Sequence, residues 1–179
     1  MPGMISGFTG RIYSFAAKRI PVFRDFQPSV ADDVLRKLTS GTVLDVGTGP
    51  GYLPILIASG NPSLEAIGLD VSRDMIRKAR MNAKHANSER VQLLVADVSE
   101  IGMRSESVDL AVATLSFHHW QDPPEAFDEL HRILKKGGEA WIFEVNREVT
   151  PLSEEWMKKK YNPLVRKIAH LITRIVGDH

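Results

Sequence analysis

With 179 residues, 43% of them apolar and 25% charged, the chain has the size and composition of one globular domain with a substantial core, and disordered and fibrous classes are excluded. It contains no cysteine, which excludes both a disulfide framework and a thiolate metal site. The net charge is only +1, but residues 1–40 and 151–179 each hold six basic and three acidic side chains, against eleven and sixteen in between, so the ends are basic and the body acidic.

Thr9 to Ile20 carries apolar Ile12, Phe15, Ala16 and Ile20 at helical spacing, and Pro21 is expected to end that helix. Arg11, Lys18 and Arg19 interrupt its apolar groups, so it is no secretory core. No run reaches membrane-spanning length, and a soluble cytoplasmic protein is the default expectation. Gln27 to Leu38 predicts a second helix, with Ser29 as N-cap and Val30, Val34, Leu35 and Leu38 on one face. Thr42 to Val46 is β-branched and apolar, the composition of a strand buried on both faces. It runs into Gly47, Gly49 and Gly51, and then into Tyr52 to Ser59, an apolar helix with Pro54 in its first turn and Gly60 as its stop. Strand, glycine loop and helix together make a nucleotide-type site at the carboxyl end of a first parallel strand.

A dinucleotide fingerprint needs a third glycine at position 52, which here is tyrosine. Glycines at 47, 49 and 51 after an acidic Asp45 resemble instead motif I of the class I S-adenosylmethionine-dependent methyltransferases, although glycine turns of purely structural purpose are common. The resemblance implies an α/β fold, a Rossmann-like three-layer α-β-α sandwich with a mostly parallel central sheet. It implies S-adenosyl-L-methionine as cofactor and S-adenosyl-L-homocysteine as product, with Asp45, Gly47, Thr48, Gly49 and Gly51 among the cofactor contacts. In that family helices ahead of the first strand help to close the substrate pocket. Tyr13 and Phe15 thereby become candidates for lining it, core packing being the alternative for Phe15.

Leu64 to Val71 predicts a second strand, with Asp70 at its carboxyl end, where a carboxylate can accept two hydrogen bonds from ribose hydroxyls. Gly68-Leu69-Asp70-Val71-Ser72 resembles the family's motif II, with Val71 beside the cofactor and Ser72 capping the next helix, Arg73 to about Asn87. Met75 in that helix either touches the adenine or is plain core. Val91 to Ala96 predicts a third strand followed by Asp97 and Val98. A carboxylate cannot donate, so there it would select an exocyclic amine such as that of adenine; an aspartate capping a turn is the alternative. Three successive strands each ending in aspartate strengthen the resemblance.

Residues 98–107 read as a connector, and Val108 to Leu115 as a fourth strand with Thr114 at the cofactor edge. Ser116-Phe117-His118-His119-Trp120-Gln121-Asp122-Pro123 resembles motif III and the following segment of the type-11 group, which includes ubiquinone and menaquinone biosynthesis methyltransferases. This places a methyl acceptor at the histidines, and His118 or His119 is a candidate general base, structural use of the pair being the alternative. No third ligand stands at metal-binding spacing, so no metal is expected. Pro124 to Lys136 predicts an amphipathic helix with Ala126, Phe127, Leu130, Ile133 and Leu134 inward, ended by Gly137-Gly138. Glu139 to Val145 predicts a fifth strand.

The resemblance spans about residues 40–146. Beyond it, Ser153 caps a helical stretch with Trp156, and Leu164 to Ile175 carries another apolar face. The family's final antiparallel strands are expected to be missing, with truncation favoured, leaving an open edge that a second copy or the last helix could cover. The division is then residues 1–40 as a helical cap, 41–146 as the cofactor-binding core and 147–179 as a helical segment over the substrate, within one methyltransferase domain. Its basic ends read as a cover attracting an anionic substrate or a membrane surface, or as solvated helix faces. The expected function is methyl transfer to a small molecule, with Tyr13, His118 and Trp156 around the acceptor. A lipid-like quinone precursor is one such acceptor. No Asn-Pro-Pro-Tyr motif or basic-aromatic stripe points to nucleic acid. Two rivals stand beside this reading. One is a non-catalytic methyltransferase-like subunit that binds the cofactor or a partner. The other is a nicotinamide-dependent oxidoreductase, which Tyr52 opposes and in which Asp97 would be idle.

Overall fold

The strand Gly41–Val46 (β1) is buried along its whole length beyond Gly41, and so is Val108–Thr114 (β4) apart from Asp109, because these two apolar runs lie side by side at the centre of a sheet. The structure, a computed structural model, describes residues 21–144, of which 27–144 form one compact unit. The helices expected at 9–20 and beyond 146, with Tyr13 and Trp156, lie outside the described residues. So do the positions where final antiparallel strands would follow.

Around β1 and β4 the remaining elements are helix Pro21–Lys37 (α1), helix Tyr52–Gly60 (α2), strand Leu64–Asp70 (β2), helix Arg73–His85 (α3), strand Gln92–Val95 (β3), helix Pro123–Ile133 (α4) and strand Leu134–Phe143 (β5). All pairings are parallel, in the order β3-β2-β1-β4-β5, which is the Rossmann-like α/β arrangement expected. The chain steps outward from β1 to β2 and β3, then crosses back to β4 and β5. Strand order therefore reverses between β1 and β4, the switch point at whose carboxyl ends open α/β sheets bind their ligands. Among the described residues no helix is long and apolar enough to cross a membrane.

Alternation along the strands sorts the core. Leu44 and Val46 join Ile67, Leu69, Ala111, Ala113 and the buried face of α4, Ala126, Leu130 and Ile133. Val43 and Asp45 point to the opposite face, and in the register Asp45 lies level with Gly68 of β2 and Val112 of β4. A carboxylate is thus carried into the middle of an apolar sheet.

Several element boundaries differ from expectation for local reasons. Pro21 is the first described residue of α1, and proline suits a first helical position whose N–H has no partner to lose. Ser29 consequently sits inside α1 and is not its N-cap. α3 ends at His85 because Asn87 takes a left-handed φ of 51°, and the Ser88 and Asn87 amides turn back to the Ala83 and Lys84 carbonyls at 2.8 and 3.1 Å. α4 ends at Ile133, where the amides of Glu106 and Ser107 donate to the carbonyls of Arg132 and Ile133. Leu134 is therefore the first residue of β5, and Gly137-Gly138 forms an irregularity inside that strand, not a helix stop. Phe127, expected inward, is 43% exposed and packs sideways on other rings.

Candidate functional site

The loop from β1 to α2 is pinned from below. The amides of Gly47 and Thr48 both donate to the Leu69 carbonyl at 2.8 Å, and the Gly51 amide closes a turn onto Thr48 O at 3.0 Å. Asn82 of α3 donates its side-chain amide to Pro50 O at 2.9 Å. Glycine is required at 51, where φ is +77° and a Cβ would stand 2.8 Å from that of Ala79, so α3 packs directly on the loop backbone. Gly49 is the contrast: its φ is +53°, yet among the described residues nothing lies within 4 Å of where its Cβ would be. Toward the described residues the loop presents bare backbone there.

Asp45 lies one residue before the end of β1 and is 1% exposed. Among the described residues neither of its carboxylate oxygens has a hydrogen-bond partner, nor does Oγ1 of buried Thr48. Burial pushes its pKa up to about 7, the nearby Thr48 hydroxyl opposing and the charge of Asp70 adding to the rise. An unpaired carboxylate at this depth is costly unless a cation or N–H donors reach it.

Asp70 ends β2 and ties two elements together. Its Oδ2 accepts from the Gly49 amide and its Oδ1 from the Ser72 amide, both at 2.8 Å. Ser72 in turn caps α3 by accepting from Met75 N at 3.3 Å. Asp97 follows β3 by two residues and accepts from both the amide and hydroxyl of Ser99, at 3.0 and 2.9 Å, all on Oδ1. Val71 is exposed, Met75 is half-buried, Thr114 is buried at the end of β4, and Val98 lies in the core with Leu44 and Leu69.

After β4 the chain bends sharply. Leu115 adopts φ +54°, a strained conformation for a bulky side chain, held by the hydrogen bond its amide donates to Phe143 O at 2.9 Å. Ser116 then donates its buried hydroxyl to Val46 O at 2.7 Å, joining the tips of β4 and β1 across the switch point. The single turn Phe117–His119 follows, with Phe117, Trp120 and Phe127 packed ring against ring at 5.1 to 6.0 Å.

The His118 and His119 rings lie 4.0 Å apart. Partial burial, then the neighbouring His118, holds the His119 pKa below its ordinary value, against the opposing charges of Glu144 and Asp70. His118 meets Glu144 twice, its amide at 3.1 Å and its Nδ1 at 2.9 Å from the same Oε2. Among the described residues no His, Asp and Glu cluster could hold a metal ion.

The structure thus brings Asp45, the glycine loop and Asp70 together by bonds and charge, and sets the histidine loop beside them. Ser116, Leu115 and Glu144 escaped the sequence reading. No sequence signal marked Glu144, which fell inside the strand expected at Glu139 to Val145; only the fold, where β5 ends at Phe143, sets it just past that strand's carboxyl end.

A family model described as a methyltransferase domain matches residues 38–174. The ubiquinone/menaquinone biosynthesis C-methyltransferase of a Geobacter species is 31% identical over 137 residues, covering 75% of this chain and 58% of that protein. An arsenite methyltransferase of Halobacterium salinarum is 30% identical over 105 residues, 58% of this chain and 27% of that protein. The chain therefore spans little more than half the length of the first of these relatives. A solved structure from Methanococcus maripaludis, a candidate S-adenosyl-L-methionine-dependent methyltransferase, superposes with a TM-score of 0.71 at 28% identity, covering 95% of this chain and 81% of that one.

Proposed function

We propose that this chain, which belongs to the methyltransferase domain family, transfers a methyl group from S-adenosyl-L-methionine to a small-molecule acceptor. The observation that carries the proposal is Asp45, a fully buried carboxylate with both oxygens unpartnered among the described residues, beside a loop of bare backbone. An amino-acid ammonium supplies what that carboxylate lacks, a positive charge and N–H donors, so the residues present fit the cofactor.

The other contacts follow from the chemistry of each group. Bare backbone at Gly49 suits the cofactor's backbone-sized portion. Asp70 spends one lone pair per oxygen on amides, which leaves each oxygen able to accept a ribose hydroxyl. Asp97 has its Oδ2 to offer an exocyclic amine, since Ser99 occupies Oδ1 alone. When bound, the cofactor supplies a methyl group on a sulfonium, which is already an excellent leaving group. What remains for the protein is chiefly positioning, worth on the order of several kcal/mol. The Ser116 to Val46 bond and the bend at Leu115 fix the histidine loop against the tip of β1 for that purpose.

For the acceptor, a ring-bearing apolar molecule of the quinone-precursor class is favoured. The Geobacter relative's name supports a carbon acceptor, and the Phe117, Trp120 and Phe127 rings beside the histidines offer matching surface. The test is transfer of a labelled methyl group from the cofactor into a bacterial metabolite extract, with D45N as control. Label in a small, extractable product that D45N fails to make supports the reading. A wild-type protein that binds the cofactor and labels nothing is a binding subunit instead.

A further inference from the structure

We propose that Glu144 is a positioning residue that locks His118 with its proton on Nδ1, leaving Nε2 as the acceptor of the proton lost by the methyl-accepting molecule. The proposal rests on the methyltransferase reading for its substrate, and on geometry within this chain for everything else.

One oxygen of Glu144, Oε2, takes both the backbone amide and ring Nδ1 of His118. Gripping backbone and ring of one residue from a single point fixes where the loop lies and how the ring is turned. An ionised carboxylate can only accept, so the nitrogen facing it must carry the hydrogen. In the neutral ring the other nitrogen, Nε2, is then an unprotonated lone pair, and it points across the ring away from Glu144. The His118 side chain as a whole is 36% exposed, so it is not enclosed by its partner. On the flank stands His119, whose lowered pKa keeps it uncharged near neutrality, so it sets no positive charge against a proton arriving on His118.

In the step itself, a bond between the acceptor molecule and one of its hydrogens breaks. For a ring acceptor that hydrogen is a hydroxyl's: the proton goes to Nε2 and the electron pair, delocalised into the acceptor's ring, forms the bond to the methyl carbon, while the methyl–sulfur bond breaks with its pair leaving on the neutral thioether. The ring hydrogen at the methylated carbon is then lost to solvent as a proton. The His118 ring becomes an imidazolium, and its Nδ1–H bond to Glu144 becomes a charge-assisted pair. This is the same division of labour as an oriented histidine between a carboxylate and a nucleophile, built here from a turn after β4 and a residue after β5.

The test uses the full chain with nitrogen-15-labelled histidine, the His118 resonances assigned by their loss in H118Q. At a pH where the ring is neutral, wild type should show the Nδ1–H form, E144A should move to the Nε2–H form, and E144Q should keep the Nδ1–H form through its amide oxygen. Labelled-methyl transfer should fall at least about 10-fold in E144A and in H118Q, no further in the double variant, and recover in E144Q. S-adenosylhomocysteine affinity should stay within about twofold throughout. A wild-type His118 in the Nε2–H form, or an E144A that changes form without losing rate, overturns the proposal, and if E144A does not fold the E144Q comparison decides it. Failure of wild type to bind S-adenosylhomocysteine would instead strike the methyltransferase reading and leave the tautomer result standing.

Discussion

The depth of Asp45 gives the protein a titration that cofactor binding must feel. Its pKa is raised from an ordinary 3.8 to about 7, chiefly by burial, so the folded chain retains a proton that the unfolded chain releases. A raised acid is neutral and undemanding below the unfolded value, and its contribution to stability is lost as pH rises through the folded one. Three units correspond to about 4 kcal/mol of native-state cost, fully expressed above pH 7. Binding an ammonium needs the carboxylate, so S-adenosylhomocysteine affinity should reach a plateau above pH 7 and fall about tenfold per unit below it, to about 100-fold weaker at pH 5. Nearly one proton should be released per ligand bound at pH 6. Calorimetric titrations from pH 5 to 8, in two buffers of different ionisation enthalpy, measure both quantities. D45N should bind weakly at every pH, release no proton from this site, and unfold with a flatter pH dependence between 4 and 7. Wild-type affinity that is the same at pH 5 and pH 8, without proton release, would refute the reasoning.

Other substitutions probe the supports of the site. G51A sets a Cβ 2.8 Å from that of Ala79 at φ +77°, and thermal unfolding should register a loss of about 1–3 kcal/mol together with weakened S-adenosylhomocysteine binding. S116A leaves Val46 O without its buried donor and should cost about 1–3 kcal/mol in urea unfolding, lowering methyl transfer more than cofactor affinity. D70A removes the acceptor of the Gly49 and Ser72 amides, and should weaken S-adenosylhomocysteine at least tenfold while destabilising the chain by about 3 kcal/mol; a variant of unchanged affinity would remove Asp70 from the site.

The sheet was legible because its central strands are buried on both faces and so read as apolar runs, Val43 to Val46 interrupted only by Asp45 and Leu110 to Ala113 without interruption. Helix ends were less so, because their stops are tertiary: α4 ends where the Glu106 and Ser107 amides reach its last carbonyls, and no residue within the helix announces that. Motif spacing located Asp45, Asp70 and Asp97, yet it placed all three at strand tips alike. The fold distinguishes them, with Asp45 buried and unpaired, Asp70 bonded to the loop, and Asp97 turned onto Ser99. Glu144 was invisible because its partner is 26 residues away and a lone glutamate after a strand carries no pattern.

The central claim is that this loop and its buried carboxylate hold an adenosyl amino acid and not a dinucleotide. Titrating the full chain at pH 8 with S-adenosylhomocysteine, and separately with NAD, tests that claim most directly. One-site binding of the first, strongly weakened in D45N, with no heat from the second is the predicted result; NAD binding with indifference to S-adenosylhomocysteine would contradict it.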